Sequence, residues 1–231
     1  NSRNEHERKG KMDEWLQEWE ARFSTPEKLI YRDFDTNIHI VPPNVVPDKG
    51  TYVMGMDFGY NDPFAVVFLL IDYEDNWWVY DEIYEPNMTT SKEVAALRMK
   101  MGDKRFARIV GDNQMKVEIQ NLREQKIWVT PSAKGGGSIQ GGIQIVREQL
   151  QVRESTGRPK LYVSSNCINF ISEIGVYEYL TDAFGTITDT PAPKQADHLM
   201  DALRYIATTV RNAQKAPPKA QARYSNTGRK V

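Results

Sequence analysis

The sequence is poor in cysteine and histidine. Cys167 stands alone among 231 residues, so no internal disulfide can form, and a reducing cytoplasm suits the chain. His6, His39 and His198 are too scattered to suggest a zinc site. No apolar run approaches the roughly 18 residues that span a bilayer, and the N-terminus lacks a signal-peptide pattern. Nowhere is there a Gly-Lys-Ser or Gly-Lys-Thr, so the chain holds no nucleotide phosphate loop. Nor is there an excess of one charge: 30 basic residues face 31 acidic ones. With 40% hydrophobic and 26% charged residues, collagen, coiled coil and wholesale disorder are excluded.

What is present is enough for one ordinary core, since a chain of this length buries roughly 70% of its unfolded surface. The opening residue is Asn1 rather than Met, as a fragment of a longer polypeptide would begin. The charge is unevenly spread. Lys215, Lys219, Arg223, Arg229 and Lys230 lie in an acid-free tail, leaving 25 basic against 31 acidic residues over positions 1 to 214. An acidic body with a basic tail suits a nucleic-acid enzyme that holds cations, and equally an ordinary acidic protein with a disordered end.

Three parts are expected. Residues 1–28 form a linker with a helix over Met12 to Phe23, whose Trp15, Leu16, Trp19 and Phe23 stripe wants a partner, either this domain or a neighbour upstream. Residues 29–212 form the folded domain, and 213–231 a basic disordered tail. Within the domain, Ile38, Ile40 and Val41 suggest a short strand, and the proline-rich 42–50 a connector. Tyr52 to Phe58, Phe64 to Ile71 and Trp77 to Tyr84 read as strands on short links, hence an antiparallel meander. Helices follow at Thr90 to Met101, Met115 to Gln125, Ile139 to Val152, Cys167 to Leu180 and Asp197 to Val210. Strands are expected at Ala107 to Gly111, Ile127 to Val129 and Leu161 to Val163. Thr181 to Lys194 suits a hairpin. Such an order describes an α/β protein: a mixed sheet with helices on its faces.

Acids end two of these strands. Asp57 closes Met54-Gly-Met-Asp57, and Asp112 closes Arg108-Ile-Val-Gly-Asp112. A carboxylate after apolar residues is costly unless it meets a cation or several donors. If these strands are parallel neighbours, their ends lie about 5 Å apart, and a divalent cation with hard oxygen ligands, Mg²⁺ or Mn²⁺, would relieve the repulsion. A third acid, Asp201, lies in Asp197-His198-Leu-Met-Asp201-Ala-Leu-Arg-Tyr205. Helical periodicity puts Leu199, Leu203, Ile206 and Val210 inward and Asp197, Asp201, Arg204 and Thr208 on the opposite face. By periodicity alone Asp201 is a solvated acid, and it becomes a ligand only if that face looks along the sheet rim.

In this order, the strand Tyr52-Val-Met-Gly-Met-Asp57-Phe-Gly-Tyr-Asn-Asp-Pro63, the strand ending Val-Gly-Asp112 and the late Asp-His-Leu-Met-Asp201-Ala-Leu-Arg-Tyr helix resemble the nuclease domain of the large terminase subunit of tailed bacteriophages. Tyr31-Arg-Asp-Phe-Asp35 and Ile38-His-Ile-Val-Pro-Pro43 resemble the segment entering that domain. The resemblance covers about residues 29 to 210. It implies an RNase H-like mixed sheet of five strands in the order 3-2-1-4-5, with strand 2 antiparallel, which sets strand 1 beside strand 4. It also implies a metal-dependent endonuclease that cuts double-stranded concatemeric viral DNA with low sequence specificity, using two Mg²⁺ or Mn²⁺ ions. Asp57, Asp112 and Asp201 match the metal-binding catalytic acids. Asp62, Asp197 and His198 are candidate outer-sphere groups. For each, a plainer reading exists: a turn-forming Asx before Pro63, a helix N-terminal acid, and a neutral surface histidine. The implied partners are DNA, a terminase ATPase domain, the small terminase subunit and the portal protein, with no membrane. The implied setting is the host bacterial cytoplasm, transiently at the procapsid, and ATP hydrolysis is not expected of this chain.

For DNA, Lys134 and Ser138 in Pro131-Ser-Ala-Lys-Gly-Gly-Gly-Ser138, together with Arg147, are candidate contacts, with a flexible linker as the alternative. Arg147, Arg153, Arg158 and Lys160 read by default as a solvated helix face. Asp57-Phe58-Gly59 spells a kinase metal-binding triplet, but no His-Arg-Asp loop accompanies it, so it is coincidence. Cys167 reads as a small core residue. Trp77, Trp78 and Trp128 read as core or sheet face. Other nucleases of the same fold (a junction resolvase or transposase core) and a non-catalytic DNA-holding packaging component are the competing functions.

Overall fold

A computed structural model describes residues 27–59, 62–133 and 137–215. The expected N-terminal helix, the basic tail beyond Lys215 and Lys134 lie outside them. After a short helix α1 (Thr36–His39) and strand β1 (Ile40–Val41), the meander runs β2 (Thr51–Asp57), β3 (Phe64–Ile71) and β4 (Trp77–Glu85). Then come α2 (Thr90–Met101), β5 (Phe106–Gly111), α3 (Lys116–Glu124), β6 (Thr130–Pro131) and α4 (Ser138–Leu150). Strand β7 (Leu161–Ser164), α5 (Ile168–Ile174), the hairpin β8 (Tyr179–Thr181) and β9 (Ile187–Pro191), and α6 (His198–Lys215) complete the fold.

The sheet is ordered β1-β7-β4-β3-β2-β5-β6. Its heart, β4-β3-β2-β5-β6, is the anticipated 3-2-1-4-5 arrangement, with β3 antiparallel to both neighbours and β2 parallel to β5. The count of five needs correction to seven. Beyond β4, β7 pairs parallel with it, and β1 pairs parallel with β7. These two short strands cover what would be an open edge, and Trp78 stacks on Tyr162 across the seam at 4.4 Å. The sixth strand also begins later than Ile127 to Val129. Ile127 and Val129 are buried as expected, but an N–H from Val129 closes a tight turn onto the Ile127 carbonyl, and pairing starts at Thr130. The helix expected to reach Leu180 ends at Ile174, because Gly175 stops it and Tyr177 turns into the core ahead of the hairpin.

Phe64 through Leu70 are fully buried, as a central strand covered on both faces requires. One core lies between the sheet and α4, α5 and α6, and takes in Ile30, Tyr31, Val53 and Val163. The other, with Met54, Met56, Phe58 and Ile109, lies under α2 and α3. Alternation along β2 thus turns Val53, Gly55 and Asp57 toward α6. Cys167 is buried at the start of α5, with its thiol pushed well up by burial, the small core residue expected.

Candidate metal centre

The site follows from register. In the parallel pair β2–β5, Met56 lies opposite Gly111, and both face the α2–α3 core. The next residues, Asp57 and Asp112, therefore leave adjoining strand ends on the other face, under α6. Gly55 lets α6 approach. A Cβ there would stand 2.1 Å from the Ala202 carbonyl oxygen, so only glycine allows this helix to lie so close to β2. That approach carries Asp201 onto the rim, where its charge feels both Asp57 and Asp112. Burial raises the Asp201 carboxyl first, Arg204 counters, and the two neighbouring acids raise it further. Its helix face thus looks along the rim, and the solvated reading does not hold.

Two of the acids already have a basic side chain beside them. The Asp57 carboxylate lies 3.0 Å from Nδ1 of His198, and Arg204 donates to Asp201 Oδ1 at 2.5 Å. His198 is half-buried rather than on the open surface. Its bond with Asp57 raises its pKa, burial opposes, and the charges of Asp57, Glu173 and Asp197 add to the rise. Asp112 accepts an N–H from Gln114 in a local turn. Among the described residues, no three His, Cys, Asp or Glu side chains stand in ready ligating geometry. The donors are hard oxygens gathered on one rim and fit Mg²⁺ or Mn²⁺ in kind.

Asp197, just before α6, has its carboxyl raised to about 6, by burial first and then by Asp201. Asp62 is exposed in the turn between β2 and β3, and no hydrogen bond ties its side chain to a described residue. Ser138 opens α4, and Arg147 lies half-buried near Tyr31 rather than free on the surface. Arg153 donates to the carbonyls of Arg158 and Pro159, and Lys160 pairs with Asp75 at 3.1 Å. This cluster is a loop beyond α4 at the sheet end remote from the acids, not a helix face. Trp128, expected in the core or on a sheet face, is 72% exposed.

Sequence reasoning missed Glu173 as a support of the site. It is buried, accepts the Leu199 N–H at 2.7 Å and so caps the N-terminus of α6. Burial pushes its carboxyl up to about 7 against the pull of Tyr84 and Leu199. Periodicity assigns Arg204 to a solvated face. It is buried instead, in a notch that Gly142 of α4 leaves open: a Cβ there would stand 2.2 Å from Arg204 Cγ. The hairpin β8–β9 leads into Asp197. Gln195 clamps its base through the Glu178 N–H and carbonyl, and Asp182 ties its tip, leaving Phe184 94% exposed.

Sheet order, acid rim and covering C-terminal helix together define an RNase H-like domain. The Terminase RNAseH like domain family matches residues 57–208, and the chain belongs to that family. It is 26% identical over 199 residues to the large terminase subunit of Escherichia phage T5, covering 82% of this chain but 43% of that protein. Its fold is similar to the large terminase of a thermophilic bacteriophage, with TM-score 0.67 and 23% identity over 79% of this chain and 45% of that one. It is also similar to the nuclease domain of the bacteriophage SPP1 large terminase with bound Mn, with TM-score 0.61 and 22% identity over 76% of this chain and 97% of that domain. The chain thus spans under half the length of the T5 protein and of the thermophilic phage's terminase.

Proposed function

We propose that this chain is a divalent-metal-dependent endodeoxyribonuclease that cuts double-stranded viral DNA during genome packaging. The observation that carries the reading is the placement of Asp57 and Asp112 on adjoining parallel strand ends, with Asp201 brought over them by α6. Family membership supports it, and so does the manganese in the SPP1 relative. Asp57, Asp112 and Asp201 would hold Mg²⁺ or Mn²⁺, two ions in this reading, which when bound supply an activated water and stabilise the leaving 3′ oxygen. The chain's own residues do the positioning. His198 holds one Asp57 oxygen, Arg204 donates to Oδ1 of Asp201 while the Tyr205 hydroxyl donates to its Oδ2 at 3.5 Å, and Glu173 anchors the helix start that bears both. Asp197, buried beside them, is an outer group tuned by the same charges. The ATPase part, the small subunit and the portal are partners of the longer protein in this proposal, and the host cytoplasm is its setting.

The test is cleavage of supercoiled plasmid. Mg²⁺ or Mn²⁺ should support it, chelation should abolish it, and ATP should not be consumed. Asp57→Ala, Asp112→Ala and Asp201→Ala should each reduce the rate at least about 10²-fold, on the scale of losing an electrostatic contact to the reaction. Wild-type cutting by Asp57→Ala sinks the site assignment. A chain that binds duplex but takes up no Mn²⁺ by calorimetry is the non-catalytic holding component, and preference for branched over linear duplex points to a resolvase.

A further inference from the structure

We infer that the uncovered margin of β5 and β6, centred on Arg108 and Trp128, is the surface that holds the DNA duplex beside the cut, an inference that rests on the nuclease reading above. Residues 127 to 130 alternate buried, exposed, buried, exposed: Ile127 and Val129 join the core under α2 and α3, and Trp128 and Thr130 point the other way. In β5, Arg108 lies opposite Val53, which faces α6, so Arg108 is on that same side. Val110 pairs with Thr130 at the start of β6, and Arg108 and Trp128 each lie two residues before that pair on the two neighbouring segments.

The exposed strip of Arg108, Trp128 and Thr130 is thus continuous with the face that carries Asp57, Asp112 and Asp201. α6 covers that face over β2 and stops short of this margin, where Arg108 and Thr130 are exposed.

Charge favours a polyanion. The chain as a whole is balanced, but Lys104 to Gly111 and Gln125 to Thr130 carry four Lys and Arg and no Asp or Glu. Arg105, Arg108 and Lys126 are exposed and form no ion pair with a described residue. Length favours a duplex. Four residues of strand separate Arg108 from Asp112, ~13 Å at about 3.3 Å each, or about four base-pair steps at about 3.4 Å. Arg108 would meet a phosphate, and the flat face of Trp128 would pack on the neighbouring sugars. Contacts of this kind fix position without reading bases.

The test is anisotropy of a labelled 30-base-pair duplex, titrated with the chain in EDTA across a salt series. Trp128→Ala should weaken binding about tenfold, and Trp128→Phe should stay within about twofold of wild type. Arg108→Ala should reduce the slope of log K against log salt by about 0.9, the share of one phosphate contact. Hydrolysis of bis(p-nitrophenyl) phosphate in Mn²⁺, which needs only the metal site, should be unchanged in all three. Wild-type affinity and salt slope in both Trp128→Ala and Arg108→Ala overturn the inference and leave the exposed tryptophan to a protein partner. If the wild type binds duplex but does not cut, the nuclease reading falls and the DNA surface stands. A wild type that binds no duplex ends both.

Discussion

Gly55→Ala adds one methyl group, and its effect can be worked from the packing. The new Cβ would sit 2.1 Å from the Ala202 carbonyl oxygen and 2.8 Å from Ile206 Cγ1, where ordinary contact begins at 3.4 Å. The first neighbour is backbone and cannot rotate aside, so α6 must withdraw from β2 by about 1.3 Å. Overpacking of this kind costs about 1–3 kcal/mol. For a domain of this size each kcal/mol lowers Tm by about 2–4 °C, so a fall of roughly 2–12 °C is expected. The same retreat lifts Asp201 and His198 away from Asp57, and a misplacement of about 1 Å can cost about 10²-fold in rate. The assays are calorimetric melting and Mn²⁺-supported plasmid cleavage, with Gly141→Ala as control. Gly141 lies in α4 with nothing within 4 Å of its would-be Cβ, so there alanine should stabilise by about 1 kcal/mol. If Gly55→Ala melts and cuts like the wild type, the close approach does not set the geometry of the rim.

Gly142→Ala should act at one remove. The added methyl group displaces buried Arg204 and loosens its bond to the Asp201 carboxylate, so it should shift the Mn²⁺ concentration for half-maximal cleavage severalfold, read by metal titration, and also lower the melting temperature. Glu93 and Glu173 give a pH dependence of stability. Burial raises both to about 7 from an unfolded value of 4.5, Glu118 assisting at Glu93. Folding therefore favours their protonated forms. Their contribution is fully present below pH 4.5 and is lost as pH rises through about 7. Urea unfolding at about pH 5 and about pH 8 should show the wild type less stable at the higher pH and a flatter response in the Glu93→Gln, Glu173→Gln double variant; equal slopes refute the assignment. Mn²⁺ should raise the wild-type Tm, and the Asp57→Ala, Asp112→Ala double variant should show no rise.

Much of the fold was legible because the central strands announce themselves. Phe64 to Ile71 is an unbroken apolar run, and Asp57 and Asp112 end strands whose short links and alternation are local signals. β1 and β7 could be recognised as strands, but their places beyond β4 depend on pairings such as Trp77 with Leu161, which no local pattern encodes. The site divides the same way. Its acids could be picked by position and family resemblance. Helical periodicity misjudged Asp201 and Arg204, because that face of α6 is covered by α4 and the sheet rim rather than by water. The His198 contact joins residues 141 positions apart, and Glu173 acts by capping a helix from another element. Nothing in the sequence of either marks its partner.

His198 and Arg204 give the rim a further property. Of three carboxylates, Asp112 alone has no basic side chain beside it among the described residues. Each of the two contacts occupies one oxygen of its aspartate, Oδ2 of Asp57 and Oδ1 of Asp201. Under the reading proposed above, an ion would therefore be met by carboxylates already turned and held in place before it arrives, so less ordering is left for binding to impose.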